Sequence, residues 1–177
     1  EYGVTNYYDV MFLYSGNLNV PSKIREFTQS AFVQPAVQVL NHFQYNSHDY
    51  FSTQKVHGEV QFKQGSNNSR SSATSFALSN CISSLIEIRG VGIGKTSFKR
   101  RVHSAYLVSM SYLTSAYENR YTLFKMLSFN EQEKLRDSVI VESVPKKIIQ
   151  DIKMIDVYTT DLINISAKTN DALRSSS

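Results

Sequence analysis

Hydrophobic and polar positions alternate with a period of two near the start of the chain. Asn6 to Tyr14 reads NYYDVMFLY, and Tyr8, Val10, Phe12 and Tyr14 interleave with Tyr7, Asp9, Met11 and Leu13. This spacing and the aromatic content predict a strand, closed by the loop residues Ser15-Gly16-Asn17. Asn19-Val20-Pro21 then offers a cap and a first-turn proline ahead of Ile24, Phe27 and Ala31 at helical spacing. Pro35 is expected to break or kink that helix, because it lacks an N–H and its ring crowds the preceding turn. Ala36, Val37, Leu40 and Phe43 continue as a second short helix. From Gln54 to Lys63 the pattern becomes strand-like again, with Val56, Val60 and Phe62 on one face. Gly65 to Ser72, GSNNSRSS, reads as a mobile polar surface loop.

In the C-terminal half the period shifts to that of a helix. Leu78, Cys81, Ile82, Leu85 and Ile86 share one helical face, with Gly90 placed to cap its end. Phe98, Val102, Tyr106 and Met110 recur every four residues, and Leu113, Tyr117, Tyr121 and Phe124 extend the row. Such a stripe predicts a long helix. Ser128-Phe129-Asn130-Glu131 matches a capping box, which predicts a further helix to about Ser143. Pro145 is expected to open the last helix, where Ile148, Ile152, Ile155, Thr159, Leu162, Ser166, Thr169 and Leu173 alternate steps of four and three, with the seam polar after Ile155. A bundle helix whose end leaves the core fits that pattern, and so does a seam for another subunit.

The fold class expected from this pattern is mainly α: a helical bundle with a small β element, a hairpin or two short strands, in the N-terminal half. A length of 177 residues fits one domain spanning 1–177. Hydrophobic residues make up 41% of the chain and charged residues 19%, with only 7 Gly and 3 Pro, a composition that argues against a disordered chain. No apolar run is long enough to span a membrane as a helix. The single cysteine, Cys81, is read as excluding an intrachain disulfide and any Cys-based zinc site. On the apolar face of its helix it is expected to be buried and inert. One thiol assigns no compartment. Asn67-Asn68-Ser69 and Asn164-Ile165-Ser166 match the glycosylation triplet, which carries meaning only in a secretory context.

One motif points toward nucleotides. Residues 90–96 read GVGIGKT, close to a phosphate-binding loop. That loop needs a glycine five residues before Gly94-Lys95, where Arg89 stands instead. A loop one residue short does not form the same cradle of N–H groups. The preceding segment also has helical rather than strand character, so the context fails as well. The four histidines, His42, His48, His57 and His103, are scattered, with no HExxH or Glu-x-x-His spacing. No Gly-x-Ser-x-Gly elbow occurs. No catalytic residues and no cofactor are expected.

Charge changes the picture more than composition does. The net charge is +4, yet residues 61–125 carry nine basic residues against Glu87 and Glu118, a local net of +7. Its centre is Lys95 to His103, KTSFKRRVH, at the start of the long helix. Cations there oppose the helix dipole, so the placement costs local stability and suggests an anionic partner. Lys95, Lys99, Arg100 and Arg101 are the candidate anion- or nucleic-acid-binding residues. A solvated basic face that pairs with the acidic C-terminal helices of the same molecule is the competing explanation.

These features lead to one expectation of function and two alternatives. The expectation is a non-catalytic structural or adaptor subunit of a larger assembly, held by protein partners or self-association. The first alternative is a nucleic-acid-binding, coat- or nucleocapsid-like protein using residues 95–103, with Tyr and Phe interleaved among the cations. The second is a nucleotide-binding enzyme with a degenerate phosphate loop.

Overall fold

A computed structural model describes residues 4–56, 59–65, 67–89, 98–133, 139–140, 146–156 and 162–171. The chain combines helices with small sheets, one of them near the N-terminus. The opening strand segment is present in two pieces, β1 (Val4–Asn6) and β2 (Val10–Tyr14). All five residues of β2 are buried, because it is the middle strand of a three-stranded sheet. β3 (Ser47–Asp49) runs parallel to β2, and β6 (Ser84–Ile88) runs antiparallel to it. Parallel pairing requires a crossover, and the helical stretch from Ser22 to His42 lies in that connection.

The alternation of β2 sorts its side chains onto two sides. Val10, Phe12 and Tyr14 join Val33, Ala36, Leu40, Leu107 and Val108 in a core beneath the helices. Met11 joins Tyr8, Phe51, Phe62, Ile152 and Met154 in a second core. Fully burying side chains such as Phe12, Leu40 and Ile152 contributes about 1.5–3 kcal/mol each. The second core lies against the hairpin of β4 (Phe51–Val56) and β5 (Glu59–Gln64); two antiparallel strands stand where one was expected from Gln54 to Lys63, and with Val56 opposite Glu59 and Val60 opposite Lys55, Val56 lies on the other face from Val60 and Phe62.

Pro35 does not break its helix. α1 (Ser22–Phe27) passes through a π-helical segment (Thr28–Val33) into α2 (Gln34–His42). The Gln34 N–H donates to the Gln29 carbonyl, five residues back. This wider turn sits just ahead of Pro35, whose ring would crowd a regular turn and whose nitrogen has no hydrogen to donate.

The helix expected over Leu78–Ile86 is absent. α3 (Ser72–Leu78) stops because Asn80 takes the left-handed conformation, φ 59°. The Cys81 N–H donates to Phe76 O and the Asn80 N–H to Ala77 O, the paired bonds of a Schellman cap. Asn tolerates this conformation better than most residues. Beyond the cap the apolar residues continue as β6, where period two replaces period 3.6. Cys81 is therefore exposed, contrary to expectation, with its thiol 3.8 Å from Ser79 O.

The long helix is present as α4 (Phe98–Glu118) and α5 (Arg120–Glu133). Backbone bonds from Asn119 N–H to Ser115 O and from Leu123 N–H to Asn119 O carry the helical pattern across the junction. Ser104, Leu107, Val108, Ser111 and Ser115 form the buried face. The large apolar row from Phe98 to Phe124 is exposed. α4 packs on α2 and the π-helical segment, and the small serines allow close approach of the backbones there.

α5 runs through Ser128 to Glu133, so no new helix begins at the expected capping box, and residues 139–140 are not helical. The expected last helix is instead a hairpin. β7 (Lys146–Asp156) pairs antiparallel with β8 (Leu162–Asp171), and β1 adds to β7 on its other side. Ile152 and Met154, two residues apart, are both buried while Lys153 between them is exposed. A four-residue step such as Ile148 to Ile152 keeps one face in a strand as well as in a helix. Isoleucines favour the pleated form, and the Asn, Ser and Thr that follow are weak helix formers.

Candidate interaction surface along α4 and α5

The start of α4 is held by a polar cluster. The Arg100 guanidinium donates from Nε to Asp9 Oδ1 at 2.7 Å and from Nη2 to Asp9 Oδ2 at 2.6 Å. Asp9 Oδ2 also accepts from the Asn46 N–H at 2.8 Å. The Arg100 guanidinium carbon lies 4.4 Å from the centre of the Tyr45 ring. The Tyr45 hydroxyl shares a 2.8 Å hydrogen bond with His103 Nδ1. The hydrogen bonds to Asp9 hold Arg100 in its charged form, above its already high ordinary value, while partial burial opposes them.

A Schellman cap presents Tyr45 to this cluster. The Tyr45 N–H donates to Leu40 O and the Gln44 N–H to Asn41 O, with Gln44 at φ 57°. Tyr45 thus packs in the same core as Leu40.

Of the sequence-predicted cations, Lys99 is exposed and lines a groove with Tyr45, Phe98, Arg100, Val102, His103 and Tyr106. The groove has a volume of about 760 Å³. Arg100 is committed within the molecule, to Asp9 of the N-terminal segment and not to the C-terminal segment that was the expected source of such a partner. Arg101 is half-buried, with its guanidinium carbon 5.9 Å from the Phe98 ring centre. Lys95 and the whole of Gly90–Thr96 lie outside the described residues. Among the described residues, no group of three or more His, Cys, Asp or Glu side chains could hold a metal ion. No described helix is long and apolar enough to cross a membrane.

The large apolar row along this helix is exposed. Phe98, Val102, Tyr106 and Met110 are 43 to 62% exposed, and Leu113, Tyr117, Tyr121 and Phe124 are 64 to 77% exposed. None of the described side chains of α5 is buried. An isolated helix of this length is marginal in water, and helices in proteins draw most of their stability from a packed apolar face. Arg120 lies over both Tyr117 and Tyr121, with its guanidinium carbon 4.6 and 4.5 Å from the two ring centres. Aromatic residues, Met and Arg are the types enriched in protein interfaces. The sequence signal for this surface was present, since the row was legible as a stripe. No signal in the sequence gave its direction.

No protein family matches this chain, and no curated protein or solved structure matches it either.

Proposed function

We propose that this chain is a non-catalytic structural or adaptor subunit of a larger protein assembly, docking through the outward face of α4 and α5. The observation that carries this reading is the row of eight large apolar side chains exposed from Phe98 to Phe124. Soluble monomers rarely leave contiguous apolar patches larger than about 300–600 Å² uncovered, and larger ones mark interaction sites. On this view the helical bundle expected from the sequence is completed between subunits, with a partner helix covering the outward face.

The nucleic-acid alternative rests on Lys95, Lys99, Arg100 and Arg101. Arg100 is already neutralised by Asp9, which weakens that alternative. The test is photo-cross-linking in cells from a photoreactive residue placed at Tyr117 or Tyr121, with Ser75 of α3 as a control position. Protein adducts are expected from Tyr117 and Tyr121 and not from Ser75. Adducts to nucleic acid, or protein adducts no more frequent from Tyr117 and Tyr121 than from Ser75, would overturn the proposal.

A further inference from the structure

The exposed row has a repeat that sets the shape of what covers it. Val102, Leu113 and Phe124 are spaced by eleven residues; Tyr106 and Tyr117 are too, and so are Met110 and Tyr121. An eleven-residue repeat gives about 3.67 residues per turn, so such a row stays nearly parallel to the helix axis. From Phe98 to Phe124 it extends about 39 Å at 1.5 Å per residue. A partner must present an apolar element of matching length, and α4–α5 of another copy is one.

The area is that of a stable interface. An aromatic side chain presents about 150–250 Å². The row's five aromatics, 59 to 77% exposed, therefore leave roughly 500–850 Å² uncovered before Val102, Met110 and Leu113 are included. A standard interface needs about 800 Å² from each partner.

The two ends of the row also differ in relief. At the α4 end the groove of about 760 Å³ opens between Tyr45 and the side chains of Phe98, Val102 and Tyr106. At the other end Tyr121 and Phe124 project from α5 as the most exposed aromatics of the row. A twofold interface must be self-complementary, each patch meeting its mate across the axis. A concave end and a convex end on either side of a midpoint satisfy that condition when the helices run antiparallel.

From these observations, and resting on the assembly reading above, we infer that the covering partner is a second copy of this chain. The two copies pack antiparallel about a twofold axis near Met110 and Leu113, with Tyr121 and Phe124 of each seated in the other's groove. The arrangement carries a cost. It brings Arg120 of one copy opposite Val102 of the other, one turn from Lys99, so like charges approach. Salt screens such charges, so the dimer tightens as ionic strength rises. An anionic partner on the same face would show the opposite dependence.

Sedimentation equilibrium of the full chain over the micromolar range, at low and high salt, tests this. A monomer–dimer equilibrium that shifts toward dimer with salt is expected. Tyr121→Ser and Phe124→Ser should each weaken it by about tenfold or more, with unchanged far-ultraviolet circular dichroism. Orientation is read by short bifunctional maleimides in a Cys81→Ser background. Leu113→Cys should cross-link to its own copy. Phe98→Cys should cross-link to a Phe124→Cys chain and not to itself. A monomer at every concentration, a higher oligomer, a dimer insensitive to both serine variants, or self-cross-linking of Phe98→Cys would each overturn the inference. A monomer that still gives protein adducts from Tyr117 would overturn the second copy alone and leave the assembly reading standing.

Discussion

The Arg100 guanidinium grips the Asp9 carboxylate through two hydrogen bonds, joining the first turn of α4 to the residue that precedes β2. The Asp9 side chain is 10% exposed and that of Arg100 47%. Asp9 also accepts the Arg89 N–H on its main-chain carbonyl, so three segments meet at one residue. Bidentate pairs of this kind are the stronger hydrogen bonds.

Breaking the grip should therefore cost more than removing a surface ion pair. Asp9→Asn and Arg100→Ala are each expected to lower the unfolding free energy by about 1–3 kcal/mol, measured by urea denaturation. Because both remove the same interaction, the double variant should lose clearly less than the sum of the two. Additive losses would show that the two residues act independently.

Gln44 occupies a position that favours glycine. Its φ of 57° closes α2 and presents Tyr45 to the core. Gln44→Gly should stabilise the fold by about 0.5–1 kcal/mol, since it relieves the left-handed penalty at an exposed site. A lowered denaturation midpoint would mean that the Gln44 side chain contributes more than its backbone strain costs.

Gly65 is required for a different reason. A Cβ built on it would stand 2.0 Å from Cδ1 of Leu13, a buried residue of the central strand. Gly65→Ala is expected to displace Leu13 and to destabilise the protein by about 1–3 kcal/mol, read from thermal or urea melts. The companion Leu13→Ala, Gly65→Ala should recover less than it loses, because deleting Leu13 opens a cavity of its own.

Tyrosine ionisation sets an alkaline limit. Burial raises the pKa of Tyr112, against a Ser84 hydrogen bond that lowers it. Burial also raises Tyr8, and it raises Tyr50 together with the nearby Glu87 charge. A raised folded pKa means that the folded state holds the phenolic proton more tightly than the unfolded chain. That contribution is complete below the ordinary value of 10.0 and is lost as pH climbs through the higher folded values. Urea midpoints should fall in strongly alkaline solution. Phenolate absorbance should show a late-titrating class that shrinks in Tyr112→Phe. Simultaneous titration of all tyrosines in the native state would contradict this.

Legibility followed the range of the deciding interaction. The period-two strand at Val10–Tyr14 and the helical stretch after Pro21 were readable, because local periodicity specifies them; from Gln54 to Lys63 only extended character was, since period two does not register that the segment forms two paired strands. Three elements were misread where periodicity is ambiguous or incomplete. Asn80 ended a helix that the Leu78–Ile86 spacing would have continued, by adopting a conformation a hydropathy pattern does not register. Ile148 and Ile152 fit a strand and a helix equally, and pairing with β1 and β8 decided between them. Ser128-Phe129-Asn130-Glu131 has the composition of a cap yet lies inside α5.

The candidate site divides along the same line. The sequence by itself determined that a long helix carries a continuous row of large apolar side chains from Phe98 to Phe124 and a cluster of cations at its start. Both follow from residue order and the fixed geometry of the α-helix. Only the tertiary structure decided that Ser104, Leu107, Val108, Ser111 and Ser115 turn inward and the larger row outward. It also decided that Arg100 is paired with Asp9, a residue ninety-one positions away. The reason is physical: periodicity fixes which residues share a face. Which face is buried depends on the shape of the surface the helix meets, and α2 with its π-helical neighbour meets α4 along a face of small residues.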